Sequence, residues 1–584
     1  MDQKNLLLAI VASVAILFGF QYLSSKFLPA PPPPAKSTAQ TTPAQPAPGT
    51  APPGPAAEAP TGGTAPVGAA SQALAETREA AIAEQPRVKI DTPRLHGSIA
   101  LTGGRIDDLT LATYHETIDP KSPEVVLLWP TGTADPYFAE FGWIGTAPDV
   151  KLPGSETKWS ASGGPLAPGH PVTLSWDNGA GLTFTRAISI DENYMFTVED
   201  GVKNAGSAPV SLTPYGLISR TGTPPVSGYY ILFEGPIGFL EGGLQEVKYT
   251  SLTPEKPADF GSTGGWLGFT DKYWLTALIP PQTESVKAQF RHAVGANNVD
   301  RYQADYTGVP VSVPAGGEAS TSTRFFAGAK EVGLLDAYAN SGIPRFDRAI
   351  DFGWFYFLTK PIFLVLVFFH GLLGNFGLAI LVLTFLIKLA FFPLANKSYA
   401  AMSKMKLLQP EVAKAREKYP DDKAKQQQEI MALYKKVGAN PLAGCLPIVI
   451  QIPVFFSLYK VLFVTIEMRH APFFGWIHDL SAPDPTSFAN LFGLLPFDPL
   501  AVPMVGHFLA IGAWPLLMGI TMFLQQKLNP QPVDPVQARM FMFLPIVFTY
   551  MLSAFPAGLV IYWSWNNLLS IAQQWAIMHR RGAA

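Results

Sequence analysis

Four long stretches without Asp, Glu, Lys or Arg lie in the C-terminal half of the chain and constrain its fold most strongly. They cover residues 361–387, 438–459, 501–526 and 540–578. A helix needs about 20 predominantly apolar residues to cross a bilayer. Each stretch is long enough for one span, and the last, with 39 residues, is long enough for two. The sequence therefore predicts a polytopic α-helical membrane protein.

Breaker residues divide two of these stretches. Gly371, Gly374 and Asn375 interrupt the first one, so we expect an interfacial helix within 346–374 and a span over 375–394. The segment Phe555-Pro556-Ala557-Gly558 interrupts the last one and predicts a hairpin between two helices. The predicted spans of the C-terminal region are 375–394, 441–466, 506–526, 540–555 and 557–578.

The N-terminal region predicts one further span and a spacer. Residues 6–23 form an apolar-to-neutral run of 18 residues, which suits an uncleaved anchor over 1–28 better than the shorter core of a cleavable signal. Eleven prolines fall between residues 29 and 55, and such a composition cannot build a core. We therefore expect a Pro/Ala-rich linker over 29–86 and six spans in total.

Residues 87–345 have the texture of an all-β domain, in which short β-type runs alternate with Gly, Asn, Asp and Pro. In residues 182–190, Leu182, Phe184, Ile188 and Ile190 share one parity, and Asp177-Asn178-Gly179 precedes them as a turn. This pattern predicts a half-buried strand in a large β-sandwich, and no helix is expected within the domain. The single cysteine, Cys445, excludes an intrachain disulfide.

The distribution of basic residues predicts the orientation. Ten Lys or Arg lie between residues 396 and 440, but only Arg469 lies between 467 and 507. By the positive-inside rule the first loop and both termini are cytoplasmic, and the β domain is periplasmic. The loop 396–440 is expected to form a helical hairpin. Its basic residues could form a solvated face, or could contact lipid headgroups or ribosomal RNA.

The residues offer no enzymatic site. His115-Glu116 begins like a zinc-protease helix, but the fifth position is Asp119 instead of His. A GxxxxGK[ST] phosphate-binding loop does not occur, and the nine histidines are scattered. We therefore expect no catalytic residue, no metal and no cofactor.

Polar side chains inside the predicted spans are more informative, because in hydrocarbon each of them needs a partner or a wet cavity. Lys388 stands about six residues from the inner end of its span, so it could snorkel to the cytoplasm or line a polar pocket with Thr384, one turn away. A polar stripe in the last span could join helices or line the same pocket. Its members are Tyr562, Asn566, Ser570 and Gln573, with Asn567 and Gln574 beside them.

Several sequence blocks carry a family resemblance. They include TFLIKLAFFPL at 384–394, NPLAGCLPIVIQIPVFFSLY at 440–459 and FPAGLVIYWSWNNLLSIAQQ at 555–574. Together with the anchor, linker and large β domain, these blocks resemble the YidC-type bacterial membrane protein insertases in their Gram-negative form.

The resemblance implies an insertase and chaperone for newly made inner-membrane proteins, acting alone or with the Sec translocon. It implies a five-helix core that encloses a hydrophilic groove, a cytoplasmic helical hairpin and a periplasmic β-supersandwich. The implied partners are membrane lipids around the core and the ribosome, which the hairpin is a candidate to contact. The familiar groove cation is an arginine, and Lys388 keeps the charge without the planar fork. The implied substrate-contact residues are Lys388, Thr384, Ile452, Phe455, Tyr562 and Trp563.

Two alternatives from other classes remain open on the residues alone. A secondary transporter would also carry an intramembrane polar stripe and a cation, but would be expected to show internal repetition and acidic coupling residues. A membrane-tethered carbohydrate-processing β-sandwich enzyme would need acid and base side chains that converge in a cleft of the β domain.

Overall fold

The computed structural model describes most of the chain after residue 76. The described residues are 65–66, 77–145, 150–226, 232–295, 298–420, 422–438, 446–503, 505–529 and 535–579. The predicted anchor 1–28 and most of the predicted linker 29–86 lie outside them. The described end of the linker range contains a short helix, α1 (Arg78–Ala83), where the Thr77 hydroxyl accepts a hydrogen bond from the Ala80 N–H.

Antiparallel strands form most of the regular structure among the described residues between 87 and 329. Their bounds are β1 Arg87–Asp91, β2 Leu95–Ala100, β3 Ile106–His115, β4 Glu124–Leu128, β5 Tyr137–Gly145, β6 Ser160–Ser162, β7 Val172–Asp177, β8 Leu182–Ile190, β9 Met195–Asn204, β10 Val210–Thr221, β11 Gly235–Leu240, β12 Gly243–Glu246, β13 Ala258–Thr263, β14 Trp266–Thr270, β15 Trp274–Ile279, β16 Ser285–Val294, β17 Asp300–Thr307, β18 Val311–Val313 and β19 Glu318–Ala329.

These strands form two sheets that pack face to face. One has the order β1-β2-β3-β5-β10-β17-β16-β13, with β4 on β3 and β18 on β10. The other has the order β12-β11-β14-β15-β19-β9-β8-β7-β6. Phe141 of the first sheet contacts Phe325 of the second edge to face, with ring centroids 6.1 Å apart. The predicted β-sandwich is confirmed.

Strand β8 matches its prediction and adds an unexpected buried charge. Leu182, Phe184, Ile188 and Ile190 are buried, and side chains of the other parity are more exposed. Arg186 has the inward parity and is 1% exposed. Its guanidinium pairs with Asp200 at 2.7 Å and donates to the main-chain carbonyls of Phe141, in β5 of the opposite sheet, and of Gly104, in the turn between β2 and β3. This arginine therefore links the two sheets through the core.

The expectation that the β domain contains no helix is wrong. Helix α2 (Val332–Asn340) follows β19 within the predicted domain boundary. Val332 and Leu335, one turn apart, are buried against the β domain. The helix ends before Gly342, whose φ of 103° suits glycine. The two buried residues of this helix span only one turn. Such a short helical pattern cannot be distinguished in the sequence from the β-type runs around it.

The C-terminal region is helical. Its longer helices among the described residues are α3 Tyr356–Leu373, α4 Phe376–Ala390, α5 Phe392–Leu407, α6 Gln409–Lys418, α7 Lys423–Lys436, α8 Leu446–Val464, α9 Ala513–Leu528, α10 Pro535–Leu552 and α11 Ala557–His579.

Three breaks between these helices follow from local sequence. Gly374 adopts φ 66° after α3, and the side chain of Asn375 caps α4 by accepting from the Leu378 N–H. Pro556 separates α10 from α11, as predicted. The span predicted over 375–394 ends earlier, because α4 stops at Ala390 and α5 continues at an angle of 67°. Pro393 lies in the first turn of α5, where its missing N–H costs nothing.

Few of the described helices are long and apolar enough to cross a membrane by length and composition alone. Helix α3 meets both conditions, and the bent pair α4–α5 meets them if it counts as one span. Gln451–Val464 and Ala538–Leu552 are shorter apolar segments. Helix α11 has 23 residues but carries the polar stripe. The described residues support a helical membrane region, and the count of six spans stays a prediction.

Helix α8 and the turn after it are tied to the β domain. Lys460 pairs with Asp351 at 2.7 Å, and the Glu467 carboxylate accepts from the Val332 N–H at 3.0 Å. Arg469 donates to main-chain carbonyls at the end of β3. Glu467 and Arg469, in the turn after α8, thus attach this turn to the β domain, and Lys460 attaches α8 to the segment that follows the domain.

Candidate functional site: a polar cleft between apolar helices

A cleft of about 700 Å³ lies between α4, α5 and α11. Apolar side chains form most of its wall, and three polar side chains interrupt them. Such a mixture suits a site that must accept both hydrocarbon and polar groups. The cleft is lined by Phe385, Lys388, Leu389, Phe392, Asn396, Leu569, Gln573, Ala576 and Ile577.

Lys388 supplies the positive charge of the cleft. Its ammonium donates to the Ser570 hydroxyl at 2.7 Å. The Ser570 hydroxyl in turn donates to the main-chain carbonyl of Asn566 at 2.7 Å. No carboxylate within the described ranges pairs with this ammonium. A neutral hydroxyl leaves the cation electrostatically uncompensated, so an incoming anionic group could interact with it.

A second, smaller cavity of about 40 Å³ borders Lys388 on the side of α5 and α8. Tyr399 and Gln451 line it, together with Ile387. The Tyr399 side chain also interacts with the Ser570 hydroxyl. Neither Tyr399 nor Gln451 was among the residues inferred from the sequence. Gln451 did carry a signal, because it is a polar residue within an otherwise apolar run.

Thr384 does not line the cleft with Lys388. It is 1% exposed, and its hydroxyl donates to the Ile380 carbonyl one turn earlier at 2.6 Å. A threonine hydroxyl in a helix commonly satisfies itself in this way. The helical spacing places Thr384 near Lys388 in sequence, but packing buries Thr384 inside the bundle.

An aromatic cluster joins α8 to α11. Phe455 stacks on Trp563 with ring centroids 4.9 Å apart and an interplanar angle of 19°. The Tyr562 hydroxyl accepts from the Gln451 amide at 2.6 Å, and Tyr562 is 1% exposed. Ile452, by contrast, is 46% exposed. The cluster therefore holds the two helices together and leaves Ile452 accessible.

The polar residues of α11 divide into two groups. Asn567 donates to Thr521 at 3.3 Å, and Gln574 donates to Asn529 at 3.0 Å, so these two join α11 to α9 and to the residue that follows α9. On the predicted stripe, Ser570 bonds Lys388, and Gln573 lines the cleft.

Two further stripe atoms lack a protein partner. In the part of the chain that the structure describes, the Asn566 Oδ1 and the Gln573 Nε2 are buried without a hydrogen bond. Buried polar atoms of this kind are costly unless water or a ligand satisfies them. The face with Asn567 and Gln574 thus joins helices, and the interpretation of the other face as the lining of a polar pocket stays a prediction.

Comparison with known proteins identifies the family. Residues 368–583 match the family described as "60Kd inner membrane protein", and residues 87–365 match "YidC periplasmic domain". The "Membrane protein insertase YidC" of Bradyrhizobium diazoefficiens is 58% identical over 518 residues, which cover 86% of this chain and 84% of that protein. The chain belongs to the YidC insertase family.

A second relative agrees with this assignment. The "Membrane protein insertase YidC" of Methylobacterium nodulans is 54% identical over 593 residues, covering 100% of this chain and 96% of that protein. A solved structure, "Active YidC insertase crystal structure with the first transmembrane domain resolved", is 17% identical with a TM-score of 0.35 and covers 84% of this chain and 92% of that one.

The YidC matches also delimit the two folded regions. The inner-membrane match contains all the inferred site residues, from Thr384 to Gln573, and the periplasmic match contains the β-sandwich. The transporter and tethered-enzyme alternatives receive no support from these relatives, which are named as insertases.

Proposed function

We propose that this chain inserts newly synthesised inner-membrane proteins, and helps them fold, through the cleft around Lys388. The observation that carries the mechanism is the ammonium of Lys388, which is bonded to Ser570 in a cleft among apolar helices and has no described carboxylate partner. Its charge attracts the polar or acidic segment that a client must move across the membrane.

The cleft lowers the cost of that transfer. A polar segment that enters hydrocarbon loses hydrogen bonds worth several kcal/mol. Gln573, whose Nε2 has no hydrogen-bond partner among the described residues, and Asn396 both line the cleft and offer replacement partners. No nucleotide or metal is needed for this action, because the client's own apolar helix supplies the favourable free energy when it enters lipid.

The apolar part of the client is proposed to contact a separate surface formed by α8 and α11. Ile452 is exposed there, and Phe455 stacked on Trp563 provides a rigid apolar surface beside it. Tyr562 contributes by holding Gln451 in place and not by direct contact, because it is almost fully buried.

The proposed topology has six spans, with both termini in the cytoplasm and the β domain in the periplasm. The ten-to-one asymmetry of basic residues between 396–440 and 467–507 supports it. The hairpin α6–α7 then lies in the cytoplasm, where Val412, Ala415 and Ile430 pack its two helices together. Its basic outer surface is proposed to contact lipid headgroups or the ribosome, and the core to act alone or beside the Sec translocon.

Site-specific photocrosslinking to a stalled nascent chain tests this function. A photoreactive residue at Ala576, which lines the cleft, should crosslink to the emerging span of a single-span inner-membrane client. A probe at Leu568 is the matched control, because Leu568 is exposed on the same helix but does not line the cleft. Equal crosslinking at both positions would show that clients do not use the cleft.

A further inference from the structure

A two-residue segment from the predicted linker is seated on the β domain, far in sequence from the strands that it touches. Ala65 is 3% exposed. It packs in one cluster with Phe138, Ile144, Tyr215 and Leu217. An alanine from a Pro/Ala-rich spacer would be exposed if the spacer did not contact the domain, so this burial requires an explanation.

The cluster lies on the outer face of the first sheet. In the register, Leu217 stands between Glu140 of β5 and Asp305 of β17. Residues of the opposite parity, such as Ile218 and Ala304, belong to the sandwich core. Leu217 and Asp305 thus point away from that core, yet they are 0% and 1% exposed. Outer-face residues of an antiparallel sheet are normally solvated, so this part of the face is covered.

Side chains of the sheet bind the main-chain carbonyls of the segment. The Arg291 guanidinium donates to the Ala65 carbonyl at 2.9 Å, and the Gln303 amide donates to the Pro66 carbonyl at 2.9 Å. Register pairs Gln303 with Arg291 across β17 and β16. Asp305 accepts from both side chains, at 2.7 Å and 3.0 Å, and so fixes their orientation.

Two further features suit a peptide as the occupant. Ala65 precedes a proline, which biases it toward an extended backbone whose carbonyls point outward. The Gln289 Oε1, which stands opposite Asp305 on the same face, is buried without a partner among the described residues. An acceptor at this place suits a further N–H of a bound chain.

We propose that the outer face of β5, β10, β17 and β16 is a peptide-docking site, and that the linker segment at Ala65-Pro66 of this same chain is its occupant. The site recognises a small side chain followed by proline, through main-chain carbonyls and an alanine-sized apolar pocket. The linker therefore meets the β domain some twenty residues before β1 begins. This docking of the linker on the β domain is separate from the insertion cleft and does not depend on it.

Cysteine labelling of the full-length chain, with Cys445 replaced by Ser, tests whether the Ala65-Pro66 segment docks on the sheet. A cysteine at Ala65 preserves the small volume and should react with a maleimide about tenfold more slowly than one at Ala57, the size of effect expected from two net hydrogen bonds. Gln303→Ala should remove most of this protection. Lys287→Ala is the matched control, because Lys287 is exposed on the same face of β16 and should change nothing.

Equal reactivity at positions 65 and 57 would overturn the docking. Protection at 65 that survives Gln303→Ala would overturn the carbonyl recognition. A second experiment leaves Arg291, Gln303 and Asp305 intact, because it perturbs the segment and reads the result at a cysteine elsewhere on the sheet. A cysteine at Leu217 should be shielded in the parent chain and become about tenfold more reactive with Ala65→Lys, but not with Ala57→Lys. An unchanged reactivity at 217 with Ala65→Lys would likewise refute the proposal.

Discussion

Removal of the Lys388 charge should impair insertion according to the charge of the client. In the parent protein the ammonium donates to the neutral Ser570 hydroxyl, and no carboxylate among the described residues pairs with it, so its charge remains available to a client carboxylate. Lys388→Ala removes the charge, and Lys388→Glu reverses it. Lys388→Arg keeps it on a long side chain and is the matched control.

The cleft geometry bounds the size of this effect. Two unit charges about 4 Å apart attract by about 1 kcal/mol in bulk water and about 4 kcal/mol at an effective dielectric near 20. With about 1.4 kcal/mol per factor of ten, the loss for an acidic client lies between about fivefold and several hundredfold. Because polar side chains line the cleft together with Lys388, we take an effective dielectric between these limits and expect Lys388→Ala to cost about tenfold.

The assay is insertion of a client series that differs only in the charge of its outside segment, with variants matched for expression. Lys388→Ala should reduce insertion of acidic clients about tenfold and of neutral clients far less, and Lys388→Arg should behave as the parent. Ser570→Ala keeps the cation, so its smaller loss should not depend on client charge. A loss with Lys388→Ala that is equal across the series would refute the groove mechanism and favour a lysine that snorkels to the interface.

Three further predictions concern topology and stability. In intact spheroplasts, with the native cysteine replaced, a membrane-impermeant maleimide should label a cysteine at Glu255 and not one at Lys425; the reverse pattern would contradict the orientation. Burial raises the pKa of Glu467 from 4.5 to about 7, so the protonated carboxyl is favoured in the folded protein and the protein loses stability as pH rises from about 4.5 through 7. Glu467→Gln should therefore flatten the fall in melting temperature between pH 5 and 8. Equal slopes of melting temperature against pH in the parent and the variant would contradict this. Arg186→Leu leaves Asp200 buried without its partner and should destabilise the β domain by about 3–5 kcal/mol, and denaturant unfolding that shows less than about 1 kcal/mol would disprove the role of the pair.

Features that depend on near neighbours in sequence were predictable. The alternation in 182–190 makes β8 a half-buried strand, because a strand places successive side chains on opposite faces. The break at Gly374 and Asn375, and the turn at Pro556, arise from backbone preferences of single residues. Lys388 stood out as a site residue because a lysine inside an apolar helix is costly wherever the helix packs.

Contacts between distant residues were decided only by the tertiary structure. Lys388 and Ser570 are 182 positions apart and meet because α4 packs on α11. Thr384, one turn from Lys388, is withdrawn from the cleft by the same packing. Arg186 has the inward parity of an apolar strand, and its partner Asp200 lies on the neighbouring strand in a register that alternation alone does not specify. Periodicity determines which face a side chain takes, but only the packed fold determines what that face meets.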